Sequence, residues 1–390
     1  MKSVSMAALG LALALGSLAP VQAPAMAQHQ GRVFTLTKEE RAAILPLQAA
    51  MDANNYAAAA TVLPAAQAAA RSADARYFVA NYQLRLGIGT GNLQMQAQAI
   101  EAILASGVAP AADLPPLYAA QATHYAGTGD LKKAEAAFTR LVELTPNDAE
   151  AVARLAEVKS DLGKNAEAVT LFDRAVSMRQ AAGQPVPASW LKRGLNLASA
   201  ARIAPQSLKF SRTLAAIYPN AQNWRDAVLA YRDFGSLDPE ARLDLLRLQR
   251  AARALHGERD YQEYATAFNN ADLPSEANAA LTEGISQKMI DPAKPGFKEL
   301  VASTSRRAAA AKAAATADAL LARADYAKAA DLYRAALQGG SVDPNLTNTR
   351  LGIALALAGR RTEAEAAFRA VSGPRAELAA LWLAWLGQRG

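Results

Sequence analysis

The chain has 390 residues, including 97 alanines and no cysteine, and its 42 Lys and Arg against 35 Asp and Glu give a net charge of +7. Alanine is the strongest helix former, and aromatic types, which favour strands, make up only 6% of the residues, so a mainly β architecture is excluded. With 52% hydrophobic residues the chain is also too apolar for whole-chain disorder. The small positive excess does not indicate a nucleic-acid partner.

Residues 1–27 are predicted to be a secretory signal peptide. Lys2 provides a positive charge, an apolar stretch runs from Met6 to Ala19, and Ala25 to Ala27 form a small-x-small cleavage site. An uncleaved membrane anchor is the alternative, but an apolar stretch of about 14 residues is shorter than the about 20 that span a bilayer. We therefore expect cleavage after Ala27, a periplasmic location, and no membrane span in the mature protein.

Two helix pairs are predicted before residue 110. The first begins near Glu40 and turns at Asn54 to Tyr56, and the second runs from Tyr77 to Gly107 with a turn between Gly87 and Asn92. The glycines of that turn are similar to a phosphate-binding loop. No strand is expected before them and the glycine pattern is incomplete, so we interpret the segment as a turn between helices.

An internal repeat is clearest between Leu117 and residue 182. Four residues recur after 34 positions, in the pairs Ala122 and Ala156, Gly129 and Gly163, Ala134 and Ala168, and Phe138 and Phe172. A similar small, aromatic, apolar motif recurs after 35 positions near the C-terminus, at Ala329, Tyr333 and Ala336 and again at Ala364, Phe368 and Val371. This pattern resembles the tetratricopeptide repeat, a helix–turn–helix unit of about 34 residues.

The repeated positions have physical reasons. Ala122 lets the second helix of its pair approach closely, Phe138 lies on the facing apolar stripe of that helix, and Pro146 ends the pair. A single pair cannot bury such a stripe, so neighbouring pairs must stack. The resemblance therefore implies an all-α fold, a right-handed α-solenoid of stacked helix pairs.

The mature chain is predicted to have three parts: a tetratricopeptide-like array at 28–182, degenerate helical repeats at 183–296, and a C-terminal tetratricopeptide-like pair with a capping helix at 297–390. A short connector after Gln180 and the segment from Asp291 to Gly296 mark the boundaries. The middle part is expected to contain four helices that lack the small–aromatic signature, at Trp190–Ala201, Pro205–Tyr218, Asn223–Phe234 and Pro239–Leu255.

The tryptophans each allow two interpretations. Trp190 and Trp224 recur after 34 positions and are interpreted as core between helices, with sugar stacking as the alternative. The C-terminal segment Arg375 to Leu386 contains Trp382 and Trp385 and is interpreted as a capping helix that covers the last repeat. A helix that docks on a partner or a membrane is the alternative for this segment.

The sequence contains no recognisable pattern of catalytic or metal-binding residues. His29, His124 and His256 lie far apart in sequence and cysteine is absent, so a zinc site lacks its usual ligands. Ser189 to Lys192 matches an S-x-x-K motif, but the partner motifs S-D-N and K-T-G are missing. We expect no enzymatic activity, no catalytic residues, no metal and no cofactor. An enzyme built on helical repeats is a third interpretation, which needs a polar constellation that the sequence does not show.

The resemblance implies a concave groove, lined by the first helix of each pair, that holds a peptide or a protein. Groove positions are Glu150, Ala153, Glu157 and Asp161 in one repeat, and Ala314, Leu321, Thr349, Ile353 and Leu357 near the C-terminus. In the middle part, the candidate ligand-binding residues are Lys192, Asn196, Arg225, Arg232, Arg259, Gln262 and Asn269. Their cations and amides suit an anionic or amide-bearing ligand, unless they are the solvated faces of surface helices.

The sequence therefore predicts a non-catalytic periplasmic scaffold that binds a protein or peptide of the cell envelope. The alternative, from a different functional class, is an accessory binding protein for envelope polysaccharide in exopolysaccharide export. Trp190, Trp224 and the basic part of the groove would form its site.

Overall fold

The computed structural model describes residues 28–29, 32–235, 237–310, 316–340 and 342–388. The predicted signal peptide at 1–27 and the predicted groove residue Ala314 lie outside these residues. The described part of the chain divides after Ala182 into two compact units, which we call the N-terminal unit and the C-terminal unit.

The N-terminal unit contains eight α-helices among its described residues. A two-residue antiparallel ladder, β1 (Gln28–His29) with β2 (Arg32–Val33), precedes them and places Gln28 opposite Val33. The helices are α1 (Lys38–Asp52), α2 (Tyr56–Ala69), α3 (Ala73–Gly89), α4 (Leu93–Ser106), α5 (Leu114–Thr128), α6 (Leu131–Leu144), α7 (Ala149–Asp161) and α8 (Asn165–Ala181).

The C-terminal unit contains twelve α-helices among its described residues. They are α9 (Ala188–Ala200), α10 (Ala204–Ile217), α11 (Ala221–Phe234), α12 (Pro239–Ala251), α13 (Gly257–Asn270), α14 (Pro274–Ser286), α15 (Pro295–Ala310), α16 (Ala317–Ala322), α17 (Tyr326–Gly339), α18 (Pro344–Leu357), α19 (Arg361–Arg369) and α20 (Ala376–Gly387). A 3₁₀ turn at Gly373–Arg375 leads into α20. None of the described helices combines the length and the apolar character needed to cross a membrane.

The all-α fold of paired helices is confirmed. Consecutive helices pack against each other throughout each unit, and local chemistry fixes where they begin and end. Asp130 and Asp148 accept hydrogen bonds from backbone N–H groups of the first turns of α6 and α7. Gly129 and Gly163 follow the first helix of their pairs in the left-handed conformation, with φ of 82° and 77°, which glycine adopts without strain.

The small–aromatic contact of the repeat occurs in more pairs than the sequence indicated. Ala122 and Phe138 are buried in one core cluster, as predicted. In the α9–α10 pair the same 16-residue spacing joins Gly194 to Phe210, where a Cβ on the glycine would lie 2.8 Å from the ring. The expectation that 188–256 lacks the signature is therefore wrong for α9–α10, because a glycine replaces the alanine.

Gly352 makes the tightest of these contacts and gives a stability prediction. A Cβ on Gly352 in α18 would lie 2.5 Å from the ring of Phe368 in α19, so Gly352→Ala is expected to destabilise the C-terminal unit by about 1–3 kcal/mol through overpacking. The matched control is Gly127→Ala, since a Cβ on this helical glycine meets nothing within 4 Å. The control should be neutral or stabilise by up to about 1 kcal/mol. Urea denaturation followed by circular dichroism measures both, and equal midpoints for the two variants would contradict the packing argument.

Helix α20 lies inside the C-terminal unit. It contacts α10, α12 and α18 as well as its chain neighbour α19. The ring of Trp382 is fully buried, stacks 5.9 Å from Phe368 and meets Trp385 edge-on at 5.4 Å. The tryptophans of this segment are therefore part of the chain's own core. Their rings are covered and are not available for docking on a partner or a membrane.

Trp190 and Trp224 are also core residues. They are 4% and 2% exposed, and the indole N–H of Trp224 donates to Oε1 of Gln388, just beyond α20, at 3.1 Å. The core interpretation of both residues is confirmed. Sugar stacking on their faces is wrong because the rings are covered.

Candidate binding sites

The predicted groove residues do not form one continuous stripe. Arg225, Arg232 and Arg259 line a common recess between α11, α12 and α13. Lys192 and Asn196 are exposed on α9, away from that recess. Two more predicted residues belong to α13 but do not line it: Gln262 is exposed, and half-buried Asn269 accepts hydrogen bonds from Arg307 at 2.7 and 2.8 Å.

The recess contains a fourth arginine, Arg242, which the sequence analysis did not select. We call it the arginine recess, and its volume is about 180 Å³. Its charged lining residues are Arg225, Arg232, Arg242, Arg259, Asp260 and Glu263, and its remaining lining is Val228, Leu229, Leu245, Leu246 and Gln249.

Arg225 is held by an acidic partner and is not a freely solvated cation. Its Nε and Nη2 donate to the two carboxylate oxygens of Asp260 at 3.2 and 3.1 Å. Asp260 is buried and also accepts from the backbone N–H of His256 at 3.0 Å and from Nε2 of Gln249 at 3.2 Å. Charge reversal at Arg225 is therefore expected to disturb folding, which the sequence alone did not indicate.

The other three arginines are bound less tightly. Nη2 of Arg242 donates to Glu263 at 2.7 Å, and Arg232 lies 3.9 Å from the same carboxylate and 3.6 Å from Asp233. Arg259 is exposed, and its side chain forms no ion pair with any described residue. Four arginines against two carboxylates give the lining of the arginine recess an excess of two positive charges.

A second and larger opening lies elsewhere in the C-terminal unit. It has a volume of about 1080 Å³, and we call it the large cavity. Its lining includes the end of α12, most of α14, the end of α15 and the turn after α16. Its apolar lining residues are Ala251, Ala279, Ala308, Ala309, Leu321, Ala322, Ala324 and Leu357, and its charged residues are Arg247, Arg250, Arg253, Arg323, Glu276 and Glu283.

Sequence reasoning found only part of the large cavity. Leu321 and Leu357 were predicted to face inward, and they line it. Thr349 and Ile353 were predicted to do the same, but they are fully buried in the core. The arginines of α12 were missed because α12 was not assigned to the groove.

Arg250 and Tyr264 form a fixed polar wall of the large cavity. Nε of Arg250 donates to Glu283 at 2.9 Å. Burial lowers the pKa of the Arg250 guanidinium. The interactions with Tyr264 and Glu283 raise that pKa by more, so the guanidinium stays charged. Burial raises the pKa of Tyr264 well above its usual value, so the phenol stays neutral. Arg253, by contrast, is exposed and has a φ of 55° at the end of α12.

A buried ionic cluster lies next to this wall, formed by Asp244, Arg247, Glu276, Arg350 and Arg375. Asp244 is fully buried; Arg247 donates to it at 2.8 Å and Arg375 at 3.2 Å, and Nε of Arg350 lies 3.8 Å away. Arg247 also donates to Glu276 at 2.9 Å. Burial lowers the pKa of the Arg247 guanidinium. The carboxylates of Glu276 and Asp244 have the larger, opposite effect and raise that pKa well above its usual value.

Three further carboxylates at the margin complete the cluster. Arg350 forms ion pairs with Asp318 at 2.9 Å and with Glu240, and Arg375 donates to Asp238 at 2.8 Å. The ion pairs thus join α12 to α14, α16, α18 and the turn before α20. The sequence analysis identified none of these residues.

Two of the predicted groove carboxylates of the N-terminal unit, Glu150 and Glu157, form ion pairs. Glu150 and Glu157 each lie 3.2 Å from Arg154 of the same helix, and Ala153 is buried. Among the described residues, no group of three or more His, Asp or Glu side chains is placed to hold a metal ion.

Stacked helix pairs with a small–aromatic contact, and openings that expose arginine and apolar side chains, define a helical-repeat binding protein. The sequence from 125 to 183 matches the family model of the tetratricopeptide repeat. Residues 125–183 therefore contain tetratricopeptide repeats, as the resemblance implied for this part of the chain. The sequence matches no curated protein.

Three solved structures to which this chain shows similarity are YrrB, PilW and PilF. YrrB, a TPR protein with an unusual peptide-binding site, is 17% identical, and the match covers 49% of this chain and 90% of YrrB with a TM-score of 0.33. PilW, a type IV pilus biogenesis factor, is 20% identical over 48% of this chain and 81% of PilW, with a TM-score of 0.29.

PilF of Pseudomonas aeruginosa is 14% identical over 68% of this chain and 98% of PilF, with a TM-score of 0.29. Because these TM-scores are below 0.5, the tetratricopeptide assignment rests on the sequence match and is limited to residues 125–183.

Proposed function

We propose that the protein is an exported scaffold that binds a protein or peptide of the cell envelope in the large cavity of its C-terminal unit. Helical-repeat arrays bind partners on extended concave surfaces. The export and envelope parts of the proposal rest on the sequence of residues 1–27.

The observation that carries the proposal is the size and lining of the large cavity. Its volume of about 1080 Å³ is at the upper end of the range of about 300–1,000 Å³ that is typical of ligand pockets. Alanine and leucine side chains provide apolar contact, while four arginines against two glutamates favour a partner with acidic groups. A peptide segment with small apolar and acidic side chains fits this combination.

Site-specific photo-crosslinking in cells tests the proposal. A photoreactive phenylalanine analogue at Ala308, which lines the large cavity, is expected to cross-link to a partner protein that is recovered with the periplasmic fraction. The matched control is the same analogue at Ala302, which is exposed on another face of the same helix, α15, and does not line the cavity. Equal cross-linking from both positions, or from neither, would remove the large cavity as the binding site.

The polysaccharide alternative is not supported by the structure of its proposed site. It depended on Trp190 and Trp224 as stacking surfaces, and both rings are buried. Of the basic residues that it shared with the peptide hypothesis, Arg225, Arg232 and Arg259 line the arginine recess, whereas Lys192 does not.

A further inference from the structure

We infer that the arginine recess is a binding site for a phosphate group in its dianionic form. This site is separate from the large cavity, and the inference does not depend on the proposed peptide partner. The charge of the recess, its hydrogen-bond donors and its apolar floor each support this inference.

The charge balance favours a dianion. The recess presents four guanidinium groups against the carboxylates of Asp260 and Glu263 in its lining, and a third carboxylate, Asp233, lies 3.6 Å from Arg232. A phosphate group carries about −1.5 to −2 charges at neutral pH and three strong acceptor oxygens, so it can pair with several guanidinium groups at once, which one carboxylate does less well. The two resident carboxylates also repel any anion, so a ligand needs more charge and more acceptors than one carboxylate offers.

The donors are directed by fixed partners. Arg225 is held in place by the fork-like contact to Asp260, and Arg242 is held by Glu263 at 2.7 Å. These described contacts use Nε and Nη2 of Arg225 and Nη2 of Arg242, so further N–H groups of both forks remain for a ligand. Arg259, which has no ion pair with a described residue, can turn toward the recess. Planar guanidinium forks match the oxygen atoms of phosphate, and donors that are already positioned lose less entropy on binding.

The shape of the recess distinguishes it from an ordinary solvated helix face. Three helices converge on a volume of about 180 Å³, the share of liquid volume of about six water molecules. Val228, Leu245 and Leu246 are buried residues that also line it. Apolar walls lower the local dielectric constant and strengthen ion pairing there. The recess has room for one tetrahedral anion and a few waters, not for a folded partner.

Isothermal titration of the mature protein with two probes tests the inference and distinguishes the source of the phosphate. Inorganic phosphate and glycerol 3-phosphate are titrated at pH 7.5 and constant ionic strength, with acetate as the carboxylate comparison. We expect saturable 1:1 binding of at least one phosphate probe and at least tenfold weaker binding of acetate. Binding of glycerol 3-phosphate alone would identify an organic phosphate as the ligand, and binding of inorganic phosphate alone would identify the free anion.

A pair of double variants locates the binding. Arg232→Gln with Arg259→Gln removes two cations of the recess and should raise the Kd for the phosphate probe about tenfold or more, because hydrogen bonds between charged groups are strong. The control, Lys192→Gln with Lys298→Gln, removes the same charge from two exposed positions outside the recess and should change the Kd less than twofold.

Three results would overturn the inference: no phosphate binding, acetate binding of equal strength, or equal losses in the two double variants. Thermal melts verify that each variant is folded. If the recess double variant is unfolded, Arg259→Gln alone replaces it, because this side chain has no ion pair among the described residues whose loss could disturb the fold.

Discussion

Replacing Asp244 by alanine is expected to destabilise the C-terminal unit by about 3–5 kcal/mol, the range observed when one partner of a buried ion pair is removed. Asp244 is fully buried and is the one carboxylate of the buried ionic cluster that lies within 4 Å of all three arginines. Without Asp244, three positive charges surround an uncharged cavity. They belong to Arg247, Arg350 and Arg375, which retain their other carboxylates.

Tryptophan fluorescence during urea denaturation measures this effect selectively, because all four tryptophans of the chain belong to the C-terminal unit. The control is Asp331→Ala, which removes an exposed carboxylate of α17 that lies 3.2 Å from Arg334. Exposed pairs of this kind contribute about 0.2–1 kcal/mol, so the control should unfold close to the wild-type midpoint. If Asp244→Ala and Asp331→Ala have the same midpoint, the buried ionic cluster does not stabilise the unit.

Replacing Trp382 by alanine is expected to destabilise the C-terminal unit by a similar amount, about 3–5 kcal/mol. The ring is fully buried, stacks on Phe368 and contacts Trp385, and it lies in the core cluster that joins α20 to α10, α11 and α12. Its removal would leave a cavity where the last helix meets the rest of the unit.

Trp382→Phe separates ring packing from hydrogen bonding. The indole N–H of Trp382 is buried and has no hydrogen-bond partner among the described residues, so phenylalanine removes an unsatisfied donor while keeping most of the ring contact. We expect Trp382→Phe to lose less than half of the stability that Trp382→Ala loses. Circular dichroism follows both variants, with Leu332→Ala at an exposed position of α17 as the neutral control. Equal losses for Phe and Ala would contradict the argument that a phenyl ring keeps most of the packing of the indole.

The local part of the fold could be predicted from sequence. Ala122 and Phe138, with their copies 34 residues later, identified the repeat because both members of each contact lie within one pair. The α9–α10 pair was not predicted to be a repeat because Gly194 replaces the alanine, although a glycine allows the same close approach of the two helices. Phe210, which lies 16 positions after Gly194 as Phe138 does after Ala122, is the residue that could have identified this pair as a repeat.

The candidate sites were predictable only where neighbouring helices form them. Arg225, Arg232 and Arg259 were selected because they belong to the predicted first helices of two successive units, now α11 and α13, and they do share a recess. The buried ionic cluster was missed, although Asp244 and Arg247 lie three residues apart in a helix that is otherwise rich in leucine, which is a signal of buried charge. Their partners Arg350 and Arg375 are more than 100 residues away, and no local pattern indicates which distant arginines meet them.

The position of α20 has a consequence for the time course of folding. In the N-terminal unit each helix packs mainly on its chain neighbours, so helix pairs can form as they leave the ribosome. In the C-terminal unit Gln388 donates to the carbonyl of Ala215, 173 positions earlier in the chain. At synthesis rates of about 5–20 residues per second, the C-terminal end of α10 waits roughly 9 to 35 s for this contact, and α12 waits somewhat less. The apolar faces that α20 covers in the folded unit stay exposed during that interval.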